Sequence, residues 1–560
     1  MRIKFIHVLF TVALFLSCEK TTKIGEFVKV SNLSTKNNTL SEEERKYWHH
    51  KDILEDTIPG ISLEKTYKKL IGHKKGKEVI VAVIDTKLDI HHEDITKNIW
   101  KNPKEISNNQ IDDDKNGYVD DINGWNFLGN FSGEDIMYSN FESMRIIRKY
   151  DSVFNIKFEE KNVEEEYKEQ YSLYKKAKIL RGLELKQVEK DKKYGNFLFE
   201  TYPKSKKVLQ KFFPNENYTI PQLDSLYNTY KKDSLLAPLI YYMADYKKYN
   251  LNPKWIDNYK KSVEARLTTS LNFDYNERTI IGDNPENLGD IKYGNNKVWN
   301  DSLPFQHAIN VAGVLAADSK NNKGTKGIFN SVRIMSLSVA SSGGDEHDKD
   351  ISLAIRYAVD NGAQIINMSF GKPISMNKKW VDEAIQYADS KDVLIVSSAG
   401  NDNKELNPEN SHYPNDYDIS GKEISNNVIV VGSISKTVNK NFKSYFSNYS
   451  KEHVDIYAPG HEIYTTVYNN EYGFISGTSL AAPIVSGIAA LIRSYYPDLS
   501  VAQVKEILMK SGVSYNIDIE IKQKDGTKKL VPFSELSKSG KVVNAYNALL
   551  MAEQVSKSKN

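Results

Sequence analysis

Six consecutive apolar residues, Val79-Ile80-Val81-Ala82-Val83-Ile84, constrain this chain most, because five of them are β-branched and no polar residue alternates with them. A strand of that kind has no side to turn toward water, so both its faces are buried, as in parallel sheets covered by helices. The same texture recurs beyond residue 310. Segments 332–339, 364–368, 393–396 and 428–434 read as strands, and 351–360 and 380–388 as helices between them. This βαβα alternation predicts an α/β fold, a three-layer α/β/α sandwich on a mostly parallel central sheet.

Between 127 and 281 the pattern changes. Segments 159–178, 183–193 and 250–266 are rich in Lys and Glu at helical spacing, and strand signals are few. A helical insertion over 128–280 is predicted, splitting one domain into 78–127 and 281–550, with 551–560 as a polar tail. The Lys/Glu runs read as solvated helix faces.

At the N-terminus, Arg2 and Lys4 precede a twelve-residue apolar run, 5–16. That is short of the roughly 20 residues a spanning helix needs, but it suits a signal-peptide core. The run closes on Leu14-Phe15-Leu16-Ser17-Cys18. Residues 19–77 are polar, include a capping-box start at Ser41-Glu42-Glu43-Glu44, and are read as a tether and N-terminal arm. No later apolar stretch is expected to approach spanning length.

Composition narrows the function. The chain carries 76 Lys+Arg against 73 Asp+Glu, a net charge of +3, and so no broad basic footprint for nucleic acid. Its single cysteine, Cys18, rules out an internal disulfide, a cysteine-based zinc site and an iron–sulfur cluster.

Three segments place reactive groups at element ends. Asp85 directly follows the buried strand, where α/β sheets build their sites; on that evidence alone a helix-capping role is equally open. Ser476-Gly477-Thr478-Ser479-Leu480-Ala481-Ala482-Pro483 opens an apolar helix, with Pro483 assigned to the first turn and Ser479 near the positive end of the helix dipole. Phe305-Gln306-His307-Ala308-Ile309-Asn310-Val311-Ala312-Gly313 begins another helix. Taken singly, Ser479 and His307 read as structural. Together with Asp85 they fall in the order Asp…His…Ser, one of the known orders of a catalytic triad.

These segments resemble those of the subtilisin-like serine peptidases, or subtilases. Residues 81–89 match the family's Asp motif, 307–313 its His motif in part, and 477–483 its Ser motif. Ser397-Ser398-Ala399-Gly400-Asn401-Asp402 is similar to the oxyanion-hole motif, and Asn367-Met368-Ser369-Phe370-Gly371 to the edge strand that pairs with substrate. The resemblance implies a subtilisin-like sandwich with Asp85, His307 and Ser479 as the triad and Asn401 in the oxyanion hole. Ser369, Phe370 and Gly371 would bind the backbone of a protein or peptide substrate. The segment 14–18 resembles a bacterial lipobox, which implies acylation of Cys18 and a lipid-anchored monomer in the cell envelope, on the periplasmic or surface side.

The sequence departs from the family in places. Ala308-Ile309-Asn310 stand where Gly-Thr-His is usual, Lys87 replaces a glycine, and Leu480 replaces a methionine, a volume-conserving change. Two rival readings share the scaffold: a non-catalytic binding lipoprotein that uses the insertion, and a maturation or transfer protease acting on one partner. The insertion enters between the Asp and His motifs, where it is placed to overhang the cleft. A calcium loop is expected from Asp112, Asp114, Asn116, Tyr118, Asp120 and Asp121, oxygen donors at alternate positions around Gly117. Surface roles are expected for most of His49, His50, His91 and His92.

Overall fold

The computed structural model describes residues 29–30, 40–154, 163–299, 307–523 and 525–559. Cys18 and the apolar run before it lie outside the described residues.

The apolar run forms β1 (Val79–Asp85), whose side chains divide between two cores as a two-sided strand requires. Val81 and Val83 enter one core with helices His307–Ala316 and Thr478–Tyr495. Ala82 and Ile84 enter the other, with helices Asp348–Asp360 and Lys378–Ser390. The molecule is therefore an α/β/α sandwich. With β2 (Gly124–Asn126), β3 (Val332–Ser338), β4 (Ile365–Met368), β5 (Leu394–Ser398), β6 (Val428–Ile434) and β7 (Ile456–Pro459), the sheet runs β2-β3-β1-β4-β5-β6-β7, all parallel. Short strands Lys541–Val542, Val513–Tyr515 and Lys29–Val30 extend the β7 edge, with one antiparallel pairing.

From β1 the chain builds β2 and β3 on one side, then returns to build β4 on the other. The strand order reverses at β1, which makes the carboxyl ends of β1 and β4 the crevice where such sheets carry sites. Asp85 lies opposite Ser338 of β3, and Ile84 opposite Met368 of β4.

The insertion is helical, as its composition predicted. α1 (Glu142–Tyr150) packs on the 42-residue α2 (Lys168–Leu209), and helices Ile220–Tyr230, Leu236–Lys248 and Pro253–Ala265 follow. It has two small cores of its own, and the first includes Ile374, just beyond the edge segment 369–371.

Four expectations change. The described part of the arm, 40–77, is not a free tether: Trp48, Ile58, Ile61 and Leu63 are buried in the main core, and the Ala545 N–H donates to the Ile61 carbonyl at 2.8 Å. The tail 551–560 continues helix Ala545–Lys559 and buries Met551 and Ala552. His49, His50 and His92 are interior rather than superficial. Helix Thr478–Tyr495, named α4 below, does reach spanning length, but 94% of it is buried because it lies between one face of the sheet and the helices that cover it.

Candidate active site

β1 ends on Asp85, which is buried, and both its carboxylate oxygens accept from His307 Nδ1, at 2.8 and 2.9 Å. A carboxylate offers only acceptors, so Nδ1 carries the hydrogen and Nε2 is left as a base. His307 is the first residue of α3 (His307–Ala316), and its side chain keeps 39% of its surface exposed against 1% for Asp85. The imidazole thus stands between a buried anion and the open crevice. Burial disfavours its charged form, but the charge and hydrogen bond of Asp85, with a smaller contribution from Glu346, outweigh that and hold His307 above its ordinary pKa. Thr86 ties the two elements together: its N–H donates to Asp85 Oδ1 at 2.7 Å, and its hydroxyl accepts from the Ala308 N–H at 3.1 Å.

Ser479 is the second residue of α4. Pro483 falls in the second turn of that helix, not the first, so the Ser479 carbonyl lacks the N–H that would normally reach it from four residues on. Ser369 Oγ donates to that carbonyl instead, at 2.9 Å. The pairing is reciprocal, since Ser479 Oγ donates to the Ser369 carbonyl at 2.8 Å. Ser369 is held in turn by Asn367 Nδ2 at 2.9 Å, and Asn367 Oδ1 accepts from Ser486 Oγ at 2.9 Å. Asn367 and Ser486 escaped sequence reasoning. Their only signal was a polar residue in an otherwise apolar strand, and another in an apolar helix.

Asn401 Oδ1 accepts from both the backbone N–H and the hydroxyl of Thr478, at 2.9 and 3.0 Å. With the amide oxygen committed, Nδ2 is the free end of an exposed side chain. The Ser479 N–H lies in the first turn of α4, where the helix itself offers no acceptor. A Cβ built on Gly477 would lie 3.7 Å from both Asn401 Nδ2 and the Ser479 nitrogen, so the two donors are neighbours. Phe370 and Gly371 continue the edge past Ser369, and Lys372 bridges antiparallel to Tyr413.

The altered His motif is accounted for by burial. Ala308 and Ile309 are core residues, and the Ile309 and Asn310 carbonyls accept from the hydroxyls of Thr466 (2.6 Å) and Thr465 (2.7 Å). Asn310 Oδ1 is buried without a partner among the described residues. Lys87 is buried and pairs with Asp135 at 2.5 Å, joining the Asp motif to the start of the insertion.

The expected calcium loop has a different convergence point. Carboxylate oxygens of Asp112 and Asp114 gather with Glu105, a residue outside the sequence motif, all within 4.8 Å of one another. Hard oxygen donors of this kind suit calcium. Asp120 is not in this group; its carboxylate accepts from the N–H groups of Asn109 (3.1 Å) and Gln110 (2.9 Å). Asp121 is buried and accepts from the Tyr357 hydroxyl at 2.5 Å and from Asn116 Nδ2 at 3.0 Å. Tyr118 puts its ring edge-on against Trp125 and Tyr357, which leaves its main-chain carbonyl as the donor it was expected to offer. The side chains that fit an ion are therefore Glu105, Asp112 and Asp114. Burial and neighbouring acids push Glu105 above its ordinary value.

Comparison with known proteins agrees with this geometry. A model described as the subtilase family matches residues 76–533, well over half of the chain. A thermophilic serine proteinase of Bacillus sp. (strain AK1) is 34% identical over 213 residues, covering 38% of this chain and 49% of that protein. Subtilisin DY of Bacillus licheniformis is 34% identical over 208 residues, covering 37% of this chain and 70% of that protein. The chain thus spans about half the length of the first of these relatives. Among solved structures, the prenylagaramide maturation protease PagA is similar at 26% identity with a TM-score of 0.35, covering 44% of this chain and 82% of that one. At so low a score the fold argument stays with the sheet itself. A family match that runs from before β1 to beyond α4 is more than local likeness produces, and the chain belongs to the subtilase family.

Proposed function

We propose that this protein is a serine endopeptidase that hydrolyses peptide bonds in protein or peptide substrates, acting as a monomer held to the bacterial envelope by lipid on Cys18. One observation carries the reading: His307 Nδ1 binds both oxygens of buried Asp85 at the carboxyl end of β1, and Ser479 Oγ is hydrogen-bonded to Ser369 just past the end of the adjoining β4. In the reaction the Ser479 hydroxyl turns from the Ser369 carbonyl to His307 Nε2, gives up its proton there and attacks the scissile carbonyl. Asn401 Nδ2 and the Ser479 N–H take the developing oxyanion. His307 then delivers the proton to the leaving amine, and Asp85 keeps the imidazole in one tautomer and stabilises its charged form. Water repeats the steps against the acyl-enzyme. The acyl side of the substrate lies along Ser369, Phe370 and Gly371 as an added strand.

A calcium ion at Glu105, Asp112 and Asp114 has a structural part in this reading, away from the chemistry. The insertion is assigned as a gate. It flanks two walls of the crevice: the Ser139 N–H donates to the Gly343 carbonyl at 2.9 Å, and Lys176 of α2 reaches the Glu409 carbonyl at 3.5 Å. The same contacts favour the narrower reading of a protease that acts on one or a few partners.

The test is fluorophosphonate labelling and peptide hydrolysis, with wild type beside Ser479→Ala, with and without a calcium chelator, and with membrane fractionation of Cys18→Ser. Wild type is expected to label and cleave, Ser479→Ala to do neither, the chelator to lower thermal stability, and Cys18→Ser to leave the membrane fraction. Wild-type protein that neither labels nor cleaves, even with added calcium, overturns the enzyme reading.

A further inference from the structure

The crevice has a feature that the triad does not use. A peptide whose carbonyl is attacked by Ser479 and whose backbone follows 369–371 must pass the side chain of its acyl residue between that edge and segment 399–401. Each wall of this slot carries a glycine, and the same side chain lies against both. A Cβ built on Gly371 lies 2.2 Å from His412 Nε2, and one on Gly400 lies 2.9 Å from the His412 ring. The imidazole therefore fills the space between both walls, in contact with each backbone. Gly400 also has φ +92°, which reserves the position for glycine.

We propose that His412 is the specificity-determining residue of this site: it occupies the slot for the acyl-side residue, and restricts cleavage to peptides carrying a small side chain there, alanine, glycine or serine. The inference deepens the peptidase reading above and rests on it. His412 also forms part of the wall of a cavity of about 240 Å³, lined further by Ser398, Leu406, Pro408, Tyr413 and Val430. The ring is thus a partition between the slot and a space that would hold a large side chain.

No hydrogen bond holds the imidazole among the described residues, and its Nε2 is buried without a partner. Its place is kept by packing, the two glycine backbones included. Removing the ring breaks no polar contact and deletes an unsatisfied atom, so truncation is compatible with folding. Burial lowers the His412 pKa, with the charge of Asp402 opposing it.

The experiment compares kcat/KM for two tetrapeptide anilides, Ala-Ala-Pro-Ala and Ala-Ala-Pro-Phe, on wild type, His412→Gly and His412→Phe. A single methylene in or out of a fitted pocket is worth about 10–200-fold. A phenyl group without room should cost wild type at least about 100-fold relative to alanine, by the same principle. His412→Gly opens the slot into the cavity and is expected to bring the Phe/Ala ratio up by that factor. His412→Phe keeps the slot filled and should still exclude the Phe peptide. Wild type that cleaves the Phe peptide as well as the Ala peptide, or a ratio unmoved in a folded His412→Gly, overturns the proposal. If wild type cleaves neither peptide, the peptidase reading is what fails. The slot is then read by equilibrium binding of the product acids Ala-Ala-Pro-Ala and Ala-Ala-Pro-Phe to Ser479→Ala, with and without His412→Gly. The Phe acid binding only when the ring is removed supports the proposal; equal binding in both backgrounds, or none in either, overturns it.

Discussion

Asn401 and Thr478 show how one side-chain amide acquires a direction. Thr478 takes the oxygen with two donors, so the nitrogen has only the crevice to face. Asn401→Ala is expected to lower kcat by about 10²–10³ with little change in KM, because the lost hydrogen bond matters only once the oxyanion forms. That range was measured on subtilisin, a member of this family. Steady-state kinetics on a small peptide checks it. His307 carries a second prediction. A general base works only when neutral, so kcat/KM should rise with pH through the His307 pKa, which stands above its ordinary value. Glu346, itself pushed up to about 7 by burial and the nearby Asp345 charge, adds to that rise when ionised. Glu346→Gln removes an anion that favours the imidazolium and should move the acid limb of the profile to lower pH; an unmoved limb excludes Glu346 from the base's environment. The reactive residues were readable in the sequence because each sits in a short motif whose chemistry is local. Asn367, Ser486 and Thr478 were not, since what they do depends on partners more than 70 residues away.

The elements that frame the crevice are joined by buried charge. Arg145 of α1 donates to the carbonyls of Asn140 (2.6 Å), Asp345 (3.0 Å) and Glu346 (3.0 Å), and pairs with Glu142. Lys372, one residue beyond Gly371, pairs with Glu142 at 3.2 Å and Asp348 at 2.8 Å and donates to the Glu346 carbonyl at 2.6 Å. All these side chains are nearly inaccessible. The insertion therefore holds the 341–346 loop beside His307, and is built into the catalytic frame. Arg145→Met should cost about 3–5 kcal/mol, since it strands buried carboxylates and carbonyls. Denaturant unfolding measures the loss, and adding Glu142→Gln should recover part of it; a loss below about 1 kcal/mol, the scale of an exposed pair, refutes the anchoring role. Lys/Glu periodicity announced α2 and the helix Pro253–Ala265, but not α1, which lies outside those segments. It could not announce the ion network, because Arg145 and the loop it holds are about 200 residues apart in sequence.

At the scale of the whole molecule, the N-terminal segment 40–77 closes the main core and brings two buried histidines with it. Burial pushes His49 down to about 3 and His50 well below its ordinary value. Both stay neutral in the fold, while the unfolded chain protonates them near pH 6.5. Their contribution is complete above that pH and is lost as pH falls toward the folded values, at about 1.4 kcal/mol per pH unit for each histidine. Wild type should therefore lose more stability between about pH 7 and pH 5 than His49→Leu does, by up to about 2 kcal/mol. Equal losses in urea titrations at the two pH values overturn this account. The sequence by itself determined the central sheet and the helical insertion, and singled out Asp85, His307, Ser479 and Asn401 as candidate site residues. Burial on both faces and local motif chemistry write those features into neighbouring residues. Only the tertiary structure decided that the segment before β1 is core, that Glu105 joins Asp112 and Asp114, and that His412 stands between Gly371 and Gly400. None of these follows from a local motif: even where the partners are near in sequence, as Glu105 is to Asp112, which side chains converge is set by how the loops close against the rest of the fold.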